Sequence, residues 1–282
     1  MGFSVFVLTW DIEGKVPRGE LKELLLRNPA PDIYAIGLQE LEQKQNDRFS
    51  YSRHNEKKDD KALEWEQCLE NTLPGYVRLT TAKLDGTILF IYIQQSLTAV
   101  VENLELKSCG PYSRGDKGPI GAIAARFEMG GVSFCFTNCH LSAQSETLEE
   151  RNREFYLIWD ILKFPNGRCI YDHDHVFMLG ILNHRAERGE IFEGFVEAEE
   201  DRMIKKYDSD SDYEYYGRKE EMRIPGGCDR ILYKGYKAGY KVEEYQQHPY
   251  FRMSGEHKPV TGFYRFNFPS YVEIKNSVAW NT

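Results

Sequence analysis

Asp32-Ile33-Tyr34-Ala35-Ile36-Gly37-Leu38-Gln39-Glu40 is the stretch whose reading decides the fold. Ile33 to Leu38 is largely apolar and rich in β-formers, so Asp32 to Leu38 reads as a strand, and the run ends on two polar residues, Gln39 and Glu40. Similar runs lie on either side. Phe3 to Trp10 is rich in Val and Phe and is followed by Asp11. Thr87 to Ile93 is a continuous apolar run, as expected of a strand covered on both faces. Ala122 to Phe127 and Val132 to Asn138 flank Gly130-Gly131, a hairpin signal. His175 to Leu182, Ile231 to Tyr233 and Thr261 to Phe266 complete the strands. Helices are predicted at Gly19 to Arg27, Lys61 to Thr72 and Ser145 to Lys163. In the last, Leu148, Phe155, Trp159 and Leu162 share roughly one face. The sequence shows no internal repeat and no linker that splits it. Strands spread through one chain between helical stretches predict a single α/β sandwich over residues 1–282.

The composition narrows the class. The chain has 282 residues, enough to bury a sizeable core without staples. Its net charge of -8 makes sequence-independent nucleic-acid binding a poor fit, although local basic patches survive a negative total. None of the six cysteines form a Cys-x-x-Cys pair. Cys135 and Cys139 fall in a strand and read as buried thiols, which predicts a reduced, cytoplasmic protein. The N-terminal residues lack the marks of a signal peptide, and Phe6 stands where a myristoylation motif wants Ser or Thr. The C-terminal residues carry no prenylation cysteine, and no apolar run reaches membrane-span length. Glu42 to Asp60 and Glu199 to Met222 read as charged surface loops. The tract Asp208 to Asp212 mimics the start of a calcium loop but fails at Tyr213, where Gly is needed, and at Lys219, where Glu is needed.

The polar residues at strand ends form an ordered set: Asp11, Glu40, Asn138 with His140, Asn183, Asp229-Arg230, and Glu256-His257 before Lys258-Pro259-Val260. Each alone is weak, since a lone carboxylate after a strand is more often a cap or a surface charge and a lone His more often structural. Gathered together, carboxylates, Asn and His suit a hard cation with oxygen ligands beside donors for a phosphate.

That ordered set resembles the inositol polyphosphate 5-phosphatase family, within the exonuclease–endonuclease–phosphatase superfamily. The matching pieces run from Thr9 to Val260. They include Asp32 to Glu40, Asn138-Cys139-His140-Leu141 followed by Glu150-Arg151-Asn152, Pro225 with Cys228-Asp229-Arg230-Ile231-Leu232, and His257 to Val260. The Cys-Asp-Arg-Ile-Leu piece points to the 5-phosphatase branch rather than to the superfamily's nucleases and sphingomyelinases.

The resemblance implies a DNase I-like, four-layer α/β sandwich: two packed, mostly antiparallel β-sheets flanked by helices. It also implies roles. Glu40 would be the main Mg²⁺ ligand, helped by Asp11. His140 and His257 would donate to phosphate oxygens, with Glu256 orienting His257 and holding it protonated. Asn183 would help fix the attacking water, and Asp229 and Arg230 would hold the catalytic scaffold. Asn138, Arg185, Lys206 and Lys258 would bind substrate. The implied ligand is an inositol phosphate or phosphoinositide, with peripheral membrane contact as one option and no nucleic acid. In the stretch Leu73 to Lys83 the apolar residues read either as a membrane-facing surface or as packing for a helix end. Oligomeric state is not legible.

The sequence departs from the family pattern at several places. The family's Gly-Asp-Leu-Asn-Tyr-Arg is Gly180-Ile181-Leu182-Asn183-His184-Arg185 here. Ile181 has no lone pair with which to orient or deprotonate the nucleophilic water, a contribution worth about 10²–10⁴ in rate. The family's Asn after Trp is Asp11. Its Ser-Asp-His is Gly255-Glu256-His257, with the carboxylate on a longer arm. A phosphate-contacting Lys is replaced by Glu221, a Pro-Thr pair is lost before Lys206, and a Trp is replaced by Gly227. Two functional readings therefore stay open: a weakened or altered phosphatase, and an inactive pseudo-phosphatase that binds a phosphorylated ligand or a protein. A nuclease or sphingomyelinase is a third, disfavoured by the charge and by the 5-phosphatase pieces.

Overall fold

The computed structural model describes residues 3–17, 21–41, 54–113, 119–141, 148–182, 196–197, 229–235, 240–251 and 257–266. One six-stranded sheet contains β1 (Phe3–Asp11), β2 (Ile33–Gln39), β3 (Tyr76–Leu84), β4 (Thr87–Gln94), β11 (Tyr240–Gln247) and β12 (Val260–Phe266), in the order β11-β12-β1-β2-β4-β3. The other contains β5 (Val101–Ser113), β6 (Pro119–Met129), β7 (Val132–His140), β8 (His175–Ile181), β9 (Val196–Glu197) and β10 (Asp229–Gly235), in the order β5-β6-β7-β8-β10-β9. Each sheet has a single parallel pair at its centre, β1/β2 and β7/β8; the other pairs are antiparallel. A helix joins the strands of each parallel pair, as a crossover requires. These helices are α1 (Leu21–Leu25) and α3 (Leu148–Ile161); α2 (His54–Thr72) precedes β3.

Alternation along the strands builds the layers. Phe3, Val5 and Val7 of β1 point between the sheets, where they meet Phe134 and Phe136 of β7, Phe177 and Leu179 of β8, and Tyr233 of β10. Phe6, Leu8 and Trp10 point the other way, onto Leu21, Leu24 and Leu25 of α1 and Trp65 and Leu69 of α2. On the far side Cys135, Cys139, Val176 and Met178 receive Phe155 and Ile158 of α3. The result is helix, sheet, sheet, helix, the four-layer sandwich expected from the sequence.

Both parallel pairs are locked by the same clasp. In the first, Ser4 N–H and Oγ–H donate to Asp32 Oδ2 at 2.9 and 3.0 Å, and the Asp32 N–H returns a bond to Ser4 Oγ at 3.2 Å. In the second, Ser133 N–H and Oγ–H donate to Asp174 Oδ2 at 2.8 and 2.7 Å, and the Asp174 N–H returns to Ser133 Oγ at 2.9 Å. The architecture thus repeats a strand–helix–strand unit that the sequence does not betray as a repeat.

Some boundaries differ from the sequence reading. α2 begins at His54, inside the stretch read as a charged loop, because a Lys- and Glu-bearing segment free of Gly and Pro sustains a helix. Strands β3, β5 and β11 went unread. All three are sheet edges, and an edge strand need not carry an apolar run on both faces. The Asp85-Gly86 turn, with φ of 39° and 78°, joins β3 to β4 and was the available hairpin signal. Leu73 is buried in the helix–sheet core, and the Tyr76 hydroxyl donates to the Pro31 carbonyl. The structure therefore decides for packing, not a membrane-facing surface, at these two residues. Cys135 and Cys139 are fully buried free thiols, as expected, and burial pushes Cys135 up to about 12. The acidic tract from Asp208 to Asp212 lies outside the described residues.

Two glycines are required by close approach. A Cβ on Gly37 would lie 2.5 Å from Leu179 Cδ1 and 2.9 Å from Asn138 Cγ. A Cβ on Gly180 would fall onto the Cys139 carbonyl, at a φ of 128° that side-chain-bearing residues avoid. Gly37→Ala should cost about 1–3 kcal/mol of stability by overpacking. Gly180→Ala should cost more, on the order of 4 kcal/mol. Urea unfolding curves of the two variants check both the sign and the order.

Candidate functional site

The inner-facing rows of the central strands change character at one end of the sandwich. On β1 the row Phe3, Val5, Val7 continues as Thr9 and Asp11. On β2 it passes from Ile33 and Ala35 to Gly37 and Gln39, and on β7 from Phe134 and Phe136 to Asn138 and His140. On β10, which runs the other way, Ile231 and Tyr233 are preceded by Asp229. These polar positions face one another because the clasps fix the strand registers. Each lies seven residues beyond a clasp residue in four cases: Asp11 from Ser4, Gln39 from Asp32, His140 from Ser133 and Ile181 from Asp174.

The floor is a polar bridge between the sheets. Asn138 is fully buried; its Nδ2 donates to the Ile88 carbonyl at 2.9 Å and the Leu38 carbonyl at 3.3 Å. Its Oδ1 accepts from Gln39 Nε2 at 2.6 Å, and Gln39 Nε2 also donates to Thr9 Oγ1 at 3.1 Å. The missing side chain at Gly37 makes room for this amide. Asn138 was expected to bind substrate. Its amide is instead committed to the opposite sheet, so the structure makes it a tie beneath the site.

Above the floor sits His257. Its Nδ1–H donates to Asp229 Oδ2 at 2.8 Å, and its Nε2 lies 3.5 Å from Asp11 Oδ2. Its backbone N–H donates to Glu13 Oε1 at 3.0 Å. The hydrogen bond to Asp229, reinforced by the charges of Asp229, Asp11 and Glu13, raises the imidazole to about 9 against the opposing effect of burial. Among the described residues the orienting carboxylate is Asp229; Glu256, which the sequence suggested for this role, lies outside them. Asp229 is itself buried, which works against its charge, and His257 offsets part of that cost.

Asp11 is buried, and its carboxyl is pushed up to about 7. Burial is the main cause, with the charges of Glu40 and Asp229 adding to it. The Glu13 N–H, which donates to Asp11 Oδ1 at 2.9 Å, and His257 pull the other way. Glu40 is half-buried at the end of β2 with φ of 49°, and its carbonyl accepts from the Gly14 N–H at 2.7 Å. Asp11 and Glu40 are the carboxylates that could hold a divalent cation, since the charge of Glu40 acts on Asp11. Among the described residues no three His, Cys, Asp or Glu side chains converge as a complete metal cage. Mg²⁺ needs none, since it takes one or two carboxylates and fills its shell with water and phosphate oxygens.

His140 and Asp229 both pair with Ile181, from opposite sides in the same sheet. Ile181 therefore occupies the middle of the polar row, 3% exposed. Lys258 follows His257 and is half-buried. Asn183, Arg185, Lys206, Glu221 and Gly227 lie outside the described residues. Glu13 was missed: a lone acid in a loop after Asp11 carries no sequence signal, and its partner is 244 residues away.

The raised carboxyl of Asp11 has a sign. Its folded value, about 7, lies above the ordinary 3.8, so ionisation costs the folded state increasingly as pH rises between the two. With divalent cations chelated, Asp11→Asn should be more stable than the parent above pH 7, by about 2–4 kcal/mol, and no more stable near pH 4. Thermal melts across pH read this. His257 is the reverse case: its stabilising contribution is complete below 6.5 and lost as pH rises through about 9. In Asp229→Asn the imidazole should titrate nearer 6.5, measurable by NMR.

The sequence pattern of endonuclease/exonuclease/phosphatase family 2 matches residues 8–191 and 185–263. The type II inositol 1,4,5-trisphosphate 5-phosphatase of Mus musculus is 29% identical over 93% of this chain, and the inositol-1,4,5-trisphosphate 5-phosphatase 1 of Schizosaccharomyces pombe is 27% identical over 98%. The chain spans 29% and 28% of those relatives' lengths. Among solved structures, the inositol polyphosphate 5-phosphatase domain of SPsynaptojanin, in complex with inositol (1,4)-bisphosphate and calcium ion, superposes with a TM-score of 0.70. That match is 24% identical and covers 99% of this chain and 90% of the other. With the family pattern covering most of its length and this fold beneath it, the chain belongs to the endonuclease/exonuclease/phosphatase family, and its sequence is similar to the inositol polyphosphate 5-phosphatases within it.

Proposed function

We propose that this chain hydrolyses the 5-phosphate monoester of an inositol polyphosphate or phosphoinositide with Mg²⁺, and that its water-activating step is weakened. The observation that carries the reading is the Asp229–His257–Asp11 cluster, which keeps a cationic imidazole beside buried carboxylates at one end of the sandwich. The names of the curated relatives support the substrate class.

Asp11 and Glu40 would hold the cation. Mutual repulsion among Asp11, Glu40 and Asp229 is what a divalent ion would relieve, so the donor set fits. When bound, the metal polarises a phosphate oxygen and stabilises the leaving alkoxide. His257 stays protonated at neutral pH, so its Nε2–H can donate to a phosphate oxygen while Asp229 fixes the ring. His140 stands on the same row and supplies a second donor; Lys258 adds positive charge. Asn183, Arg185 and Lys206 keep their expected roles in this reading, and Asp229 takes the orienting role expected of Glu256. The free buried thiols Cys135 and Cys139 support placement in the reducing cytoplasm, with membrane recruitment as an option for a lipid substrate.

Ile181 favours a second reading, in which the site binds a phosphorylated ligand without turning it over. It fills the place between His140 and Asp229 with a side chain that cannot accept a proton.

Phosphate release from a panel of inositol polyphosphates with Mg²⁺ tests both. Glu40→Gln should reduce the rate by about 10² or more, and an unchanged rate would defeat the metal assignment. Ile181→Asp should raise turnover by about 10²–10⁴, as restored base assistance would. Turnover of the parent at a rate that Ile181→Asp does not improve removes the claim of weakening. Inorganic phosphate binding should hold to about pH 9 and fall above it as His257 loses its proton.

A further inference from the structure

We infer that Glu13 is a positioning residue: its carboxylate latches the backbone of His257 and holds the imidazole in the site. The inference rests on the phosphate-binding role proposed for His257. Glu13 Oε1 accepts the His257 N–H at 3.0 Å, and Glu13 Oε2 pairs with Lys15 Nζ at 2.8 Å, so both carboxylate oxygens are committed.

The loop that carries Glu13 is anchored from three directions. Trp65 Nε1–H on α2 donates to the Lys15 carbonyl at 3.0 Å, and Lys61 Nζ donates to the Gly14 carbonyl at 2.8 Å. The Gly14 N–H donates to the Glu40 carbonyl at 2.7 Å. The Glu13 N–H caps Asp11 Oδ1 at 2.9 Å. One short loop therefore ties α2, the Asp11 carboxylate, the backbone of Glu40 and the proposed phosphate donor into a single unit.

The backbone argues for function over stability. Glu13 has φ of 48°, in the left-handed region where glycine is favoured and a side chain is a cost. Glycine at this position would relieve the backbone, yet would delete the latch. Retaining a strained carboxylate here makes sense through what it holds.

The test uses the full chain with four variants: Glu13→Gly, Glu13→Ala, Glu13→Gln and His257→Ala. Hydrogen exchange at the His257 amide reads the latch directly. It should speed up about tenfold or more in Glu13→Gly and Glu13→Ala, the effect of losing a hydrogen bond to a charged group, and recover in Glu13→Gln, which keeps an acceptor. Glu13→Gly should melt at or above the parent temperature, which a merely structural role would not allow. Inorganic phosphate affinity should fall about tenfold in Glu13→Gly and be restored in Glu13→Gln. Unchanged exchange in Glu13→Gly and Glu13→Ala overturns the latch. If exchange responds but His257→Ala binds phosphate like the parent, the latch stands and the phosphate role of His257 falls.

Discussion

Two carboxylates at the strand ends opposite the candidate site set the register of this molecule. Asp32 and Asp174 each accept both the N–H and the hydroxyl of a serine on the neighbouring strand, and so pin the register of the two central parallel pairs. Register matters here more than packing energy. A slip of one residue would send every inner-facing side chain of a strand to the opposite face. Asp11, Gln39, His140 and Ile181 stand at equal distances beyond the clasps, so the clasps decide that these four side chains face the site.

The site is built as a controlled exception to the core. The inner rows are apolar along most of their length and turn polar at the site end, where the Gln39–Asn138 bridge satisfies the buried amides. That bridge exists because Gly37 has no side chain. Above it, acids crowd His257: Asp11, Glu13 and Asp229 all act on its imidazole, and Glu40 acts on Asp11. Burial makes this crowding expensive for Asp11, whose carboxyl rises to about 7, whereas for His257 the hydrogen bond to Asp229 and the surrounding acids outweigh burial and retain its proton to about 9. Ile181 sits within this polar row as its one apolar member on the strands that flank it, between His140 and Asp229. Under the function proposed above, a site with cation- and phosphate-binding groups but an apolar side chain at this place would bind its ligand and turn it over slowly.

Much of this was legible in the residues. Apolar runs that end on a polar residue, such as Ile33 to Glu40 and Val132 to His140, marked both the central strands and the site positions. Edge strands were not legible. β5 and β11 lack a run that is buried on both faces, and their pairing depends on neighbours far along the chain. Side-chain roles were legible only as far as residue type permits. Asn138 looks the same in sequence whether it faces a substrate or the Leu38 carbonyl. Glu13 offers no pattern, because its meaning lies wholly in the His257 amide it holds.

The sequence by itself determined the layered sandwich, the strands at its centre, the polar residues at their ends and the missing carboxylate at position 181. The strands and their polar ends follow from side-chain chemistry and from alternation, which are local; the four layers and the missing carboxylate follow from the resemblance to the 5-phosphatase family. Only the tertiary structure decided that His257 answers to Asp229, that Asn138 ties the sheets, and that Asp11 and His257 hold unusual protons. Those depend on distance and burial, and electrostatic effects change steeply with both. No arrangement of letters sets a separation of 2.8 Å between residues 28 positions apart; packed layers in register do.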